Sequence, residues 1–340
     1  MKKISRSILW ILLMTAVVGF AHADTVKAGY WAGEDGDLYT YGKYKYSIDS
    51  DGSVIIWGYT GNETTVKIPA EIEGRPVRHV WGLMEYKGKG MYTYYKNNKT
   101  REIIVPDGVV SIGRFGDLYR GCVNVKQVIL PDSVTKIYAD TFGYCEKLET
   151  IRISRGLKEI GVCAFHKCKS LKRIELPDGL EKIDEDAFAD CSALKEISIP
   201  DTVTTIGNEA FTSCENLKNV KLPQNLTVIK SNTFSMCYKL KEIKIPKSVK
   251  EIRTRAFANT GLTSVTIPEN VTKIGRQAFA YNPHLKKITV RSKKIKSFEY
   301  KAFLTGSKSK VTIDVPNQCI KKYKRMLKKA KSFGGKMKIK

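Results

Sequence analysis

Residues 168–200 run CKSLKRIELPDGLEKIDEDAFADCSALKEISIP. Cys168, Leu171, Ile174, Leu176 and Pro177 recur in the same order as Cys191, Leu194, Ile197, Ile199 and Pro200, each 23 residues further on. The step holds in both directions. Cys122, Cys145, Cys214 and Cys237 extend the cysteine column, and Tyr119, Phe142, Phe165, Phe188, Phe211 and Phe234 keep an aromatic residue three positions before each cysteine. Further out the pattern loosens: Phe257, Phe279 and Phe303 continue the aromatic column, while Thr260 and Asn282 stand where cysteine stood. Val265–Ile267, Ile288–Val290 and Ile313–Val315 continue downstream, and Ile103–Val105 and Val66–Ile68 lead in upstream, which makes about eleven rungs between residues 66 and 316.

An Ile-x-Ile pair has period two, so both side chains face one side of a short strand. The proline after it cannot donate to a sheet ladder and ends the strand. One unit of 23 residues cannot bury its own apolar face, but stacked units can. The expectation is an α/β repeat solenoid, a right-handed superhelix with one continuous parallel sheet, its Leu, Ile and Phe columns forming internal ladders. Although 340 residues suggest two domains by length, the repeat makes one long domain.

The pattern L-x-x-I-x-[LI]-P…I-x-x-x-A-F-x-x-C resembles leucine-rich repeats of the BspA-like (Treponema-type) class, over roughly residues 40–316. Asp49-Ser50-Asp51-Gly52 followed by Val54–Gly61 resembles that family's N-terminal hairpin cap, and an Asp-Gly turn between β-rich runs supports a hairpin independently. BspA-like proteins are typically surface adhesins, so the resemblance implies a protein or glycan ligand on host or neighbouring cells. The chain departs from many members in showing no evident sorting domain, wall-anchor motif or membrane tail.

The ends carry separate signals. Met1–Arg6 is basic, Ile8–Ala21 is uncharged and apolar, and Ala21-His22-Ala23 has the small-x-small form of a signal-peptidase site. The expected division is therefore a signal peptide at 1–23, a β cap at 24–65, the solenoid at 66–316 with an insertion at 82–100, and a basic capping helix and tail at 317–340. The apolar stretch is short for a membrane span, so an exported protein without a transmembrane segment is expected, secreted, surface-associated or periplasmic. The formal charge of +25 is concentrated: residues 286–340 hold 19 Lys+Arg against Glu299 and Asp314 alone.

Three groups of residues are candidates for partner binding. Lys172, Lys195, Lys218 and Lys241, with Lys126, follow the repeat leucine position, so stacking lines them into a stripe interrupted by Glu149. The stripe reads as a solvated face or as a partner surface. The insertion carries Tyr86, Tyr92, Tyr94 and Tyr95 among lysines, the composition of a contact loop or of a sheet-end cap. At the C-terminus, Ile320, Tyr323, Leu327 and Ala330 mark the apolar face of a helix that starts at Pro316-Asn317 and stops at Gly334-Gly335. Lys321, Lys322, Lys324, Arg325, Lys328 and Lys329 crowd its other face, and Lys336, Lys338 and Lys340 trail off. This charge suits an anionic envelope surface or acidic glycan better than specific nucleic acid, for which no reading motif is present.

The period-locked cysteines match no zinc spacing and read as core thiols, with a disulfide or metal role as the alternative. Cys163 and Cys319 lie off the column as candidate exposed thiols. His79, His166 and His284 have no neighbouring carboxylate cluster at ligand spacing, and Asp184, Glu185 and Asp186 read as a solvated loop. No nucleophile elbow or phosphate loop occurs, so neither an enzyme nor a cofactor is expected.

Overall fold

A computed structural model describes residues 39–82, 99–113, 123–304, 306, 310–332 and 337–340, with the backbone alone of 85–86 and 92–93. These lie in one compact unit, Leu38–Lys340. The signal-peptide expectation and Cys122 fall outside the described residues, as do Tyr94 and Tyr95.

The chain winds into a parallel β coil of about eleven turns, with little helix. The Ile-x-Ile segments form the first ladder, in which Val66, Ile103, Val128 and Ile151 stand in register, then Ile197 with Val220, then Val265, Ile288 and Ile313. Each following proline opens a tight turn: Leu180 N–H donates to Pro177 O at 3.0 Å and Val203 N–H to Pro200 O at 3.0 Å. That turn leads into a second parallel ladder, which the cysteine-to-proline columns do not mark. Val80, Ile112, Ile137, Ile160, Ile183 and Ile206 form one run of it, and Ile229, Ile252, Ile274 and Phe298 another. The single continuous sheet expected is thus two parallel ladders, the first of them interrupted at residues 171–177 and 240–246, which form no strand. The reason is that the residue five before each phenylalanine, isoleucine except at Phe298, is itself a strand residue with its side chain inward.

A third stack closes the turn without being a strand. Asp140, Cys163, Asp186, Glu209, Asn232, Arg255, Gln277 and Lys301 have φ of 52–57°, and Tyr144, Lys167, Asp190, Ser213, Met236, Asn259 and Tyr281 have φ of 55–63°. Each left-handed non-glycine residue costs about 1–2 kcal/mol. Left-handed residues spaced along the turn aim alternate N–H groups along the coil axis. Asp140, Phe142 and Tyr144 donate to Val162, Ala164 and His166 at 2.8, 2.8 and 2.7 Å, and Cys163, Phe165 and Lys167 to Glu185, Ala187 and Ala189. The N–H groups of this stack point toward the C-terminal end, so their dipoles add where those of a β ladder alternate.

The columns read from the sequence line the interior. Phe142, Phe165, Phe188, Phe211, Phe234, Phe257, Phe279 and Phe303 are buried, and successive rings stack at 5.1–5.6 Å. Cys168, Cys191, Cys214 and Cys237 are equally buried, and each thiol donates to the carbonyl of the phenylalanine 26 residues earlier at 3.1–3.2 Å. Burial pushes the Cys168 thiol far above the usual range. Where cysteine gives way, Asn282 does the same work: its amide donates to Phe257 O at 2.8 Å and Phe279 O at 3.0 Å, and its oxygen accepts from the N–H and hydroxyl of Thr260.

Both described ends are covered. The antiparallel hairpin Tyr44–Ile48/Val54–Tyr59, turning through Gly52 at φ 82°, passes its second strand into the parallel sheet against Arg75–Val80. At the other end Asn317–Cys319 forms a 3-10 turn and Ile320–Lys329 an α-helix, laying Tyr323 and Leu327 into the core. The Tyr323 hydroxyl donates to Ser292 O at 3.0 Å and accepts from Ile295 N–H at 3.1 Å. Ala330 O, at the helix C-terminus, accepts from Lys301 N–H at 2.7 Å and so meets the last N–H of the turn stack. The lysine-rich tail does not trail off: Met337–Ile339 is a strand paired in parallel with Val311–Asp314. The alternation Met337-Lys338-Ile339-Lys340 carries a strand signal that the density of lysines conceals.

Candidate functional site

Alternate residues of the first ladder point away from the core, and from about residue 173 to 291 they line an open groove of about 1310 Å³. Its lining mixes both signs: Glu175, Asp178, Glu196 and Asp201 with Arg173 on the earlier rungs, and Lys218, Lys221, Lys244 and Lys247 with Glu242 and Glu269 on the later ones. Arg173 reaches Glu196 at 3.7 Å. Among the described residues, Glu175, Lys221, Glu242 and Lys244 enter no ion pair, although ion pairs link many other neighbouring rungs, such as Lys136–Glu159–Lys182. Sequence inspection missed this groove because its residues occupy the variable positions of the repeat. The available signal was the period itself, which assigns every second strand residue to the outer face.

The lysine stripe is real as a surface column. Lys172, Lys195, Lys218 and Lys241 are all exposed, and the backbones of the first three join through N–H donations of 3.2 Å and 2.8 Å. Only Lys218 among them also lines the groove. Lys126 binds the interrupting Glu149 at 2.9 Å, which holds that carboxyl below its ordinary range. Tyr86 and Tyr92 pair directly in a two-strand antiparallel hairpin, Glu85–Tyr86 with Tyr92–Thr93. On the C-terminal helix, Lys321, Lys322, Lys324, Arg325, Lys328 and Lys329 are exposed and form no ion pair among the described residues.

Several expectations need correction. Cys319 is buried beside Tyr323, because the 3-10 turn folds it inward, and Cys163 is half-buried at a left-handed position. His79 and His166 each meet a single carboxylate, not a cluster: Asp49 at 3.9 Å and Asp190, on the next rung, at 3.8 Å. Asp184, Glu185 and Asp186 are partly buried. Burial, then Glu209, Glu185, Asp190 and Asp140, raise the Asp186 carboxyl to about 6. Among the described residues no group of three or more His, Cys, Asp or Glu side chains converges as a metal site, and no helix is long and apolar enough to cross a membrane.

The chain is similar to a leucine-rich repeat protein from Bacteroides ovatus, with 27% identity and a TM-score of 0.59 over 89% of this chain and 76% of that one. It is also similar to a leucine-rich cell surface protein from Faecalibacterium prausnitzii (25% identity, TM-score 0.49, 83% and 71% covered). A third is the T. pallidum leucine-rich repeat protein (26%, 0.48, 73% and 91%). No curated protein is significantly similar to the chain. The model of the BspA-type leucine-rich repeat region matches residues 89–218 and 204–331 in six copies, the span in which the phenylalanine and cysteine ladders lie. The chain belongs to the BspA-type leucine-rich repeat family.

Proposed function

We propose that this chain is an exported recognition module, a surface adhesin or host-protein interaction module, that binds another macromolecule across the outer face of its first sheet. The observation that carries the reading is the groove, which keeps Glu175, Lys221, Glu242 and Lys244 unpaired among the described residues. Charges held open in this way set partner choice and association rate through complementarity more than raw affinity. A solenoid suits the task because its surface is long and built from independent rungs. Leucine-rich-repeat proteins are typically interaction modules rather than enzymes. Export rests on the Met1–Ala23 pattern.

The test is binding of purified plasma and matrix proteins to the immobilised chain and to a Lys221→Glu/Lys244→Glu variant. Affinity at least tenfold lower in the variant supports the groove; equal affinity, or no binding protein in either set, rejects it. A reporter carrying residues 1–23 should leave the cytoplasm, and retention there rejects export.

A second reading, retention on an anionic envelope surface through the C-terminal lysines, is favoured by the six exposed, unpaired cations of the helix. Such binding weakens steeply as salt rises.

A further inference from the structure

We propose that the outer edge of the last coils, around Tyr281 and Tyr300 with Arg276, Lys301 and Lys331, is a binding site for an acidic glycan, a sugar chain bearing carboxylate or sulfate groups. Tyr281 and Tyr300 are 44% and 40% exposed and sit on successive turns. Gln277, itself 5% exposed, links the two residues. Gln277 N–H donates to Tyr300 O at 3.0 Å, its side-chain amide donates to the Tyr281 hydroxyl at 3.2 Å, and its oxygen accepts from Arg255 Nε at 2.8 Å. Gln277 thus ties down the Tyr281 hydroxyl through its side-chain amide and the Tyr300 backbone through its own N–H, on neighbouring turns.

Cations surround the second ring. The Arg276 guanidinium lies 5.5 Å from the Tyr300 centroid and the Lys301 ammonium 4.9 Å. Lys331 arrives from the far end of the capping helix. Hydrogen bonding to Lys301 holds the Tyr300 phenol below its ordinary range, and Lys331 and Arg276 add to the effect. The nearby carboxylate, Glu299, is already engaged: one oxygen meets Lys273 at 3.0 Å and the other accepts from Arg276 N–H at 3.0 Å. The aligned N–H groups of the turn stack also end at Lys301, which places the positive end of their dipole on this edge, with Ala330 O as the last acceptor.

The chemistry fits one class of ligand. An exposed phenol ring offers an apolar face to the C–H side of a sugar and a polar rim to its hydroxyls. Arg276 presents a planar fork to a carboxylate or sulfate, and two lysines act as mobile point charges. A bilayer is disfavoured because the apolar face of the neighbouring helix is spent inward on Tyr323 and Leu327. The site shares no residue with the lining of the groove, so it stands independently of the function proposed above.

The experiment is calorimetric titration of the full chain with a chondroitin sulfate hexasaccharide, with neutral maltohexaose and with a double-stranded DNA oligonucleotide. The sulfated hexasaccharide should bind and maltohexaose should not. Tyr300→Leu and Arg276→Gln/Lys331→Gln should each weaken the sulfated probe about tenfold, roughly 1.4 kcal/mol. These positions are exposed, so the melting temperature should not move. Lys321→Gln/Lys322→Gln/Lys324→Gln and the groove variant should leave affinity for that probe within about threefold, roughly 0.6 kcal/mol. The proposal is overturned if the hexasaccharide fails to bind, if the helix variant abolishes binding while Tyr300→Leu does not, or if DNA binds equally well with the same loss on Tyr300→Leu.

Discussion

Replacing Phe188 by alanine tests the architecture at its centre. The ring is fully buried, 5.1 Å from Phe165 and 5.3 Å from Phe211, with interplanar angles of 3° and 2°. Truncating a buried phenylalanine costs about 3–5 kcal/mol, made up of lost transfer energy and a cavity that the neighbours only partly refill. Here relaxation is restricted on both sides, since Phe188 N–H is bonded to Ala210 O at 2.8 Å and the Cys214 thiol to Phe188 O at 3.2 Å. The loss should therefore fall in the upper part of that range, while Phe188→Leu, which conserves most of the volume, should lose about 1–2 kcal/mol.

Denaturation by guanidinium followed by far-UV circular dichroism measures both. A local readout comes from the buried thiols of Cys168 and Cys191, which alkylating reagents reach only through opening. If opening is local, Phe188→Ala should speed their labelling about a hundredfold or more. A stability loss below about 1 kcal/mol, with labelling unchanged, would mean that the phenylalanine column does not hold the coil together.

Three further changes probe other parts of the coil. Between pH 3.8 and about 6 folded Asp186 keeps a proton that the unfolded chain has released, so stability falls as pH rises through that window and the penalty is complete above it. Asp186→Asn tolerates the left-handed backbone and should add about 1 kcal/mol at pH 7 after allowance for solvent screening, with little effect near pH 4; equal pH profiles for variant and parent refute this. Asn282→Ala strands buried partners on Thr260 and on two phenylalanine carbonyls and should cost about 2–4 kcal/mol, whereas Asn282→Cys, the residue used in other rungs, should lose less; the reverse order in thermal melts would sink the ladder argument. Tyr323→Phe removes the hydroxyl that joins Ser292 O and Ile295 N–H, and with it the buried phenol whose pKa is pushed up to about 12; a loss of about 1–3 kcal/mol in denaturant midpoint analysis is expected, and none would show that the helix caps by apolar contact alone.

Repetition made most of the core legible. A column such as Phe165, Phe188 and Phe211 has one structural solution once its spacing is recognised, because every unit must bury the same face against the same neighbour. The cysteines could be assigned to the core on the same grounds, and the hairpin cap was visible in its Asp-Gly turn. The strand at Met337–Ile339 and the second ladder were present in the sequence as alternation and as a recurring isoleucine, but lysine density and the stronger cysteine column obscured them.

What the chain determined by itself is the period and the inward residues, since nearest-neighbour stacking of identical units requires no long-range information. Tertiary structure alone decided which variable positions meet. Glu175 and Lys244 become parts of one groove, His166 finds Asp190, and Tyr300 gathers Arg276 and Lys331 although the latter lies beyond a helix. Apart from columns such as Lys172, Lys195 and Lys218, the outward positions vary from rung to rung, so the charge beside most of them depends on the path of the coil and of its C-terminal cap.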